Sequence, residues 1–196
     1  MSNAPSAPIF ATRKAVFIDR DGTLMEEVHY CREPEKVRLF AGVPEALRSL
    51  RQAGFLTLIV TNQSGIARGT ILPEQYEAVH MRLLELLGPD TIDDTFMCAD
   101  NPDAPSHRRK PAPGMLLEAA QRWHIDLAVS YMVGDKEIDV ECGIRAGSTS
   151  LLVRTGYGAH LTQTKAIHTA DDFASAASWI LANAGHPAHH PTPAHP

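Results

Sequence analysis

A chain of 196 residues, 44% hydrophobic and 21% charged, has the size and composition of one ordinary globular domain able to bury a substantial core. Its net charge of -5, with no basic run beyond Arg108-Arg109-Lys110, argues against nucleic acid as a partner. Three widely spaced cysteines do not form a secreted disulfide framework, and no stretch approaches the roughly 20 apolar residues that cross a bilayer; the expectation is a cytoplasmic monomer with no membrane partner.

Residues 1–13 are small, polar and proline-bearing, and are expected to form a disordered N-terminus. The first apolar run, residues 15–18, reads as a strand covered on both faces and ends in Asp19-Arg20-Asp21-Gly22-Thr23. Strand alternation predicts Asp19 and Asp21 on one side with Arg20 pointing away. Two carboxylates aimed at one spot need a cation, a proton or a tight hydrogen-bond network. Residues 24–40 show no sustained period and read as a loop over the strand ends. Pro44 then opens a helix with Val43, Ala46, Leu47 and Leu50 on its apolar face and Gly54 after its end.

The second run, residues 55–60, again ends in polar residues, Thr61-Asn62-Gln63-Ser64. Pro73 opens a helix whose Tyr76, Val79, Leu83, Leu84 and Leu87 form a buried stripe, closed by Gly88-Pro89. A short strand at 95–98 leads into a proline-rich loop, 99–113. A helix over 115–124, a strand at 131–133 ending in Gly134-Asp135, a helix over 138–146 and a strand at 150–154 complete the alternation. Residues 171–183 form the last predicted helix. The tail from 185 to 196, rich in His, Pro and Ala, is expected to be disordered.

Alternating strands and helices with short connections indicate an α/β fold with a mostly parallel sheet. Ligands of such sheets sit beyond the carboxyl ends of the strands, where Asp19, Asp21, Thr61, Lys110 and Asp135 all fall.

The ordered set Asp19-x-Asp21-Gly22-Thr23, Thr61-Asn62, Lys110-Pro111 and Gly134-Asp135-Lys136-x-x-Asp139 resembles the haloacid dehalogenase (HAD) superfamily of phosphohydrolases over residues 14–158. The wording Asp19-Arg20-Asp21-Gly22-Thr23, Thr61-Asn62-Gln63-Ser64-Gly65 and Arg109-Lys110-Pro111 is similar to the heptose bisphosphate phosphatases and their histidinol-phosphatase relatives. The resemblance implies an HAD-like Rossmannoid three-layer sandwich over 14–184. It implies a Mg²⁺-dependent phosphatase in which Asp19 is the nucleophile, Asp21 the general acid and base, and Thr61 and Lys110 the donors that stabilise the phosphoryl group. Asp19, the backbone carbonyl of Asp21 and Asp135 would hold the metal, with Asp139 facing it directly or through water.

The resemblance further implies substrate contacts from Glu27, Val28, His29, Tyr30, Asn62, Gln63, Ser64, Arg109 and Lys136. The substrate class is a small sugar phosphate, foremost the 7-phosphate of D-glycero-D-manno-heptose 1,7-bisphosphate, with histidinol phosphate or another small metabolite as the alternative. A phospho-receiver domain would carry its acceptor acid after the third strand, where this chain has Cys98. Superfamily members often carry a large cap domain, but the insertions at 24–40 and 99–109 are long enough only for loops. The structural zinc usual in these phosphatases is expected to be absent, because Cys98 alone survives of the four ligands, with Asp100, Ser106 and Arg108 at the other positions.

Overall fold

The structure, a computed structural model, describes residues 12–184, so the expectations for residues 1–11 and 185–196 lie outside it. Arg13, expected in the disordered N-terminus, is instead paired to residues 124–126: its N–H donates to the His124 carbonyl and its carbonyl accepts from Asp126.

The five apolar runs form β1 (Lys14–Ile18), β2 (Phe55–Asn62), β3 (Asp94–Cys98), β4 (Tyr131–Gly134) and β5 (Thr149–Val153). A sixth strand, β6 (His168–Ala170), was not expected. It is three residues of mixed polarity on the sheet edge, and its pairing to β5 comes from the backbone and not from an apolar pattern. His168 also stacks on Trp179, with ring centroids 4.9 Å apart.

All pairings between these six strands are parallel, and the strand order is β3-β2-β1-β4-β5-β6. Among the described residues six α-helices connect or flank the strands: α1 (Val43–Gln52), α2 (Ser64–Ala67), α3 (Pro73–Leu87), α4 (Gly114–Trp123), α5 (Glu137–Ala146) and α6 (Phe173–Asn183). The single turn α2 is too short for a helical period to announce it.

Alternation along β1 divides the core into two. Val16 and Ile18 face α1, α3 and α6 through Leu47, Leu50, Val79, Leu83, Phe173 and Ile180, while Ala15 and Phe17 face α4 and α5 through Met115, Leu116 and Cys142. This is the three-layer arrangement expected, and each large side chain so buried contributes on the order of 2 kcal/mol.

The connections run outward in opposite directions from β1 and β4, so these two adjacent strands mark the switch point at which a parallel sheet opens a crevice. Asp19 follows β1 and Asp135 follows β4. The fold therefore brings residues 116 apart in sequence to one place.

Residues 24–40 hold only a short 3₁₀ turn, Pro34–Lys36, and the described residues of 99–113 hold no helix or strand, so neither insertion builds a cap domain. The first loop is nonetheless well anchored. Leu24, Met25, Cys31 and Val37 are buried in the core, and Met25 bridges Leu39.

Phe173, fully buried where α6 meets the sheet, tests this packing. Phe173→Ala should lower unfolding free energy by about 3–5 kcal/mol, measured by urea denaturation. A loss within the scatter of exposed substitutions would show that α6 is not part of the cooperative core.

Candidate active site

The strand ends converge on a buried ammonium. Lys110 Nζ lies 2.7 Å from Asp19 Oδ1 and 2.6 Å from Asp139 Oδ1, and donates to the Val60 carbonyl at 2.8 Å. Its backbone is fixed as closely: the Asn62 amide donates to the Lys110 carbonyl and accepts from its N–H, each at 3.1 Å. Lys110 thus ties together β1, β2 and the start of α5. Burial works against its charge, but Asp139 and Asp19 more than offset it and hold the lysine protonated well above the ordinary range.

Asp19, Asp135 and Asp139 are all buried, and their ligand oxygens lie within 4.8 Å of one another. Burial, with repulsion from Asp19, pushes Asp135 up to about 8. Asp139 is raised to about 6 by burial, with the Lys110 charge opposing. Tyr157 N–H donates to Asp135 Oδ2 at 2.8 Å, whereas buried Asp135 Oδ1 has no hydrogen-bond partner. An orphaned carboxylate oxygen beside two further carboxylates, with one lysine bonded into the group, is a donor set that fits a hard divalent cation such as Mg²⁺. Asp139 Oδ2 also accepts from Lys136 N–H at 3.0 Å, which fixes its direction at the start of α5.

Asp21 departs from expectation. Regular strand geometry stops at Ile18, so alternation does not extend through residue 21, and Arg20 turns back to grip its neighbour. Arg20 Nε and one terminal nitrogen each donate to Asp21 at 3.0 Å, and Gln63 Nε2 donates to it at 2.8 Å. Arg20 is itself buried, with its guanidinium 5.3 Å from the Tyr76 ring centroid. Burial favours the neutral acid, but the Arg20 charge and these hydrogen bonds prevail, and the Asp21 pKa falls below the ordinary carboxylate range. Its side chain stands outside the three-carboxylate group.

A cleft of about 250 Å³ opens above these groups. Every residue expected to contact substrate lines it: Glu27, Val28, His29, Tyr30, Asn62, Gln63, Ser64, Arg109 and Lys136. Thr61 lines it too, its hydroxyl accepting from Gln63 Nε2 at 2.8 Å. Asn62, however, directs its amide at the Lys110 backbone and acts there as a brace. Arg20, Cys31, Gly65, Ile138 and Tyr157 complete the lining and were not predicted. The Gly156-Tyr157-Gly158 turn after β5 carried a usable signal, since every other site segment also follows a strand.

In loop 99–113 one hydroxyl is the organising centre. Ser106 Oγ donates to the Asp100 carboxylate, accepts from Arg108 N–H at 3.2 Å and Arg109 N–H at 2.9 Å, and lies 3.9 Å from buried Cys98 Sγ. The carboxylates at the sheet are the one group among the described residues whose ligand atoms come together as a metal site would require.

An HAD-hydrolase-like family model matches residues 107–177. The D-glycero-D-manno-heptose-1,7-bisphosphate 7-phosphatase of Thermosynechococcus vestitus is 37% identical over 187 residues, covering 86% of this chain and 95% of that protein. The D-glycero-beta-D-manno-heptose-1,7-bisphosphate 7-phosphatase of Escherichia coli is 40% identical over 72% of this chain and 80% of that protein. The crystal structure of D,D-heptose 1,7-bisphosphate phosphatase from B. bronchiseptica, complexed with magnesium and phosphate, superposes with a TM-score of 0.79 at 31% identity, covering 87% of this chain and 99% of that one. The chain belongs to the HAD-like heptose bisphosphate phosphatase family. It is a phosphatase on an α/β Rossmannoid sheet, and no helix among the described residues is long and apolar enough to cross a membrane.

The raised carboxylate of this phosphatase has a consequence for stability. Between the ordinary carboxylate range and about 8, Asp135 holds a proton in the folded state that it loses on unfolding. Stability from this group is therefore complete at low pH and lost as pH rises through about 8. In chelator, the melting temperature should fall from pH 5 to pH 9, and Asp135→Asn should flatten that slope. A slope unchanged by the substitution would contradict the assignment.

Proposed function

We propose that the chain hydrolyses the 7-phosphate of D-glycero-D-manno-heptose 1,7-bisphosphate, with Asp19 as nucleophile and Asp21 as proton carrier. The observation that carries this reading is the Lys110 ammonium bonded to Asp19 at the floor of an open, polar cleft. The names of the relatives from Thermosynechococcus vestitus and Escherichia coli support the substrate.

In the first step an Asp19 oxygen attacks phosphorus in line and the bond to the sugar oxygen breaks, leaving an aspartyl-phosphate. Asp21 gives its proton to the departing alkoxide. In the second step Asp21 takes a proton from a water that attacks the same phosphorus, and phosphate leaves with Asp19 restored. Thr61 and Lys110 donate to the phosphoryl oxygens as charge accumulates on them.

Asp21 must be protonated for the first step, yet Arg20 and Gln63 hold it ionised in the geometry described. Proton uptake therefore follows arrival of the phosphate dianion, whose charge raises the carboxylate pKa. Mg²⁺, held by Asp19, Asp135 and the Asp21 carbonyl with Asp139 beside them, would supply the positive charge that lets a carboxylate approach an anionic ester. Arg109 and Lys136 are the cations for the remainder of the substrate, and Ser106 organises loop 99–113 beside them.

Asp19→Asn should reduce Mg²⁺-dependent phosphate release by roughly a thousandfold or more with the melting temperature preserved; activity within tenfold of wild type would refute the nucleophile. In a phosphate-release panel, the heptose bisphosphate should give the highest kcat/KM. Faster turnover of histidinol phosphate would overturn the substrate assignment.

A further inference from the structure

The turn after β5 is built to hold one aromatic ring at the cleft. Gly156 has φ +52, and a Cβ there would stand 2.3 Å from Asp135 Oδ2 and 2.7 Å from the Gly22 Cα. A Cβ on Gly158 would lie 1.9 Å from the Val153 carbonyl oxygen. Between these two glycines stands Tyr157, whose N–H is fixed on Asp135, while the Thr155 hydroxyl donates to the Gly22 carbonyl at 2.6 Å. The backbone is thus pressed against both carboxylate-bearing strand ends, with no tolerance for side chains on either side of the tyrosine.

The tyrosine ring is not packed into the protein. It is 47% exposed, and among the described residues it is the large exposed hydrophobic side chain that lines the cleft. Lys136 Nζ lies 4.4 Å from its centroid, within cation–π range, and is paired at 3.3 Å with Glu27. A rigid aromatic surface beside an anchored cation and a carboxylate is the combination that receives a carbohydrate: C–H faces pack on the ring while hydroxyls bond to the charged groups.

We propose that Tyr157 is a specificity-determining residue whose ring packs against the carbohydrate portion of the substrate, beyond the phosphoryl group at Asp19. The proposal rests on the sugar-phosphate reading of the cleft and adds the surface that tells a sugar phosphate from a smaller phosphate.

The test compares kcat/KM for heptose 1,7-bisphosphate and mannose 6-phosphate with kcat/KM for acetyl phosphate, which has no ring to pack. Tyr157→Ala should lower the sugar-to-acetyl ratio about tenfold, the scale of one aromatic contact, mainly through KM. Tyr157→Phe, which keeps the ring, should restore the ratio to within about twofold of wild type on the same scale. Equal losses on all three substrates would overturn the proposal and assign Tyr157 a structural role through Asp135. An unchanged ratio in Tyr157→Ala would also overturn it. A wild-type enzyme that cleaves mannose 6-phosphate but not the heptose compound would refute the heptose assignment while leaving the Tyr157 comparison intact. One that cleaves acetyl phosphate alone would overturn both.

Discussion

The site depends on a single buried cation. Lys110 is bonded to Asp19 and Asp139 with almost no solvent access, and its charge is what lets two carboxylates occupy the floor of the sheet. Removing the lysine would leave the buried carboxylates uncompensated, costing on the order of 3–5 kcal/mol, whereas neutralising Asp19 leaves Lys110 paired with Asp139. The rest of the architecture serves this contact. Parallel pairing brings β1 beside β4, the Asn62 amide clamps the Lys110 backbone, and the start of α5 fixes Asp139. Lys110 offsets only part of the negative charge there, and burial, with repulsion from Asp19, raises the Asp135 pKa.

The two acids of the first motif are governed by different neighbours. Asp19 belongs to the Lys110 group, whereas Asp21 is gripped by Arg20 and Gln63 outside it. Arg20 in turn rests against Tyr76 on α3, so the direction of Asp21 is set by the core and not by the surface loop. In the proposed mechanism this separation would let one carboxylate stay beside a metal site while the other exchanges a proton, a division of roles by environment that recurs in acid–base catalysis.

Much of this was legible in the chain because buried parallel strands are apolar runs and their ends are abrupt. The runs at 15–18 and 131–133 announced β1 and β4, and the acids after them announced the site. β6 left no such trace, since three edge residues held by backbone pairing need no apolar pattern. The turn of Arg20 onto Asp21 is not legible from alternation, because the period of two ends with regular strand geometry at Ile18. The brace made by Asn62 was hidden because its partner, the Lys110 backbone, lies 48 residues away. The place of Tyr157 after a strand is legible in the chain, but its fixing depends on two glycines whose approach to Asp135, Gly22 and Val153 exists only in the assembled fold.

The central claim is that Asp19, paired with Lys110, becomes covalently phosphorylated. The most direct measurement is acid quenching of a single turnover, followed by borohydride reduction and peptide mass spectrometry, which converts an acyl phosphate into an alcohol. The account predicts reduction at Asp19 and at no other carboxylate. Reduction at Asp21, Asp135 or Asp139 instead would contradict it.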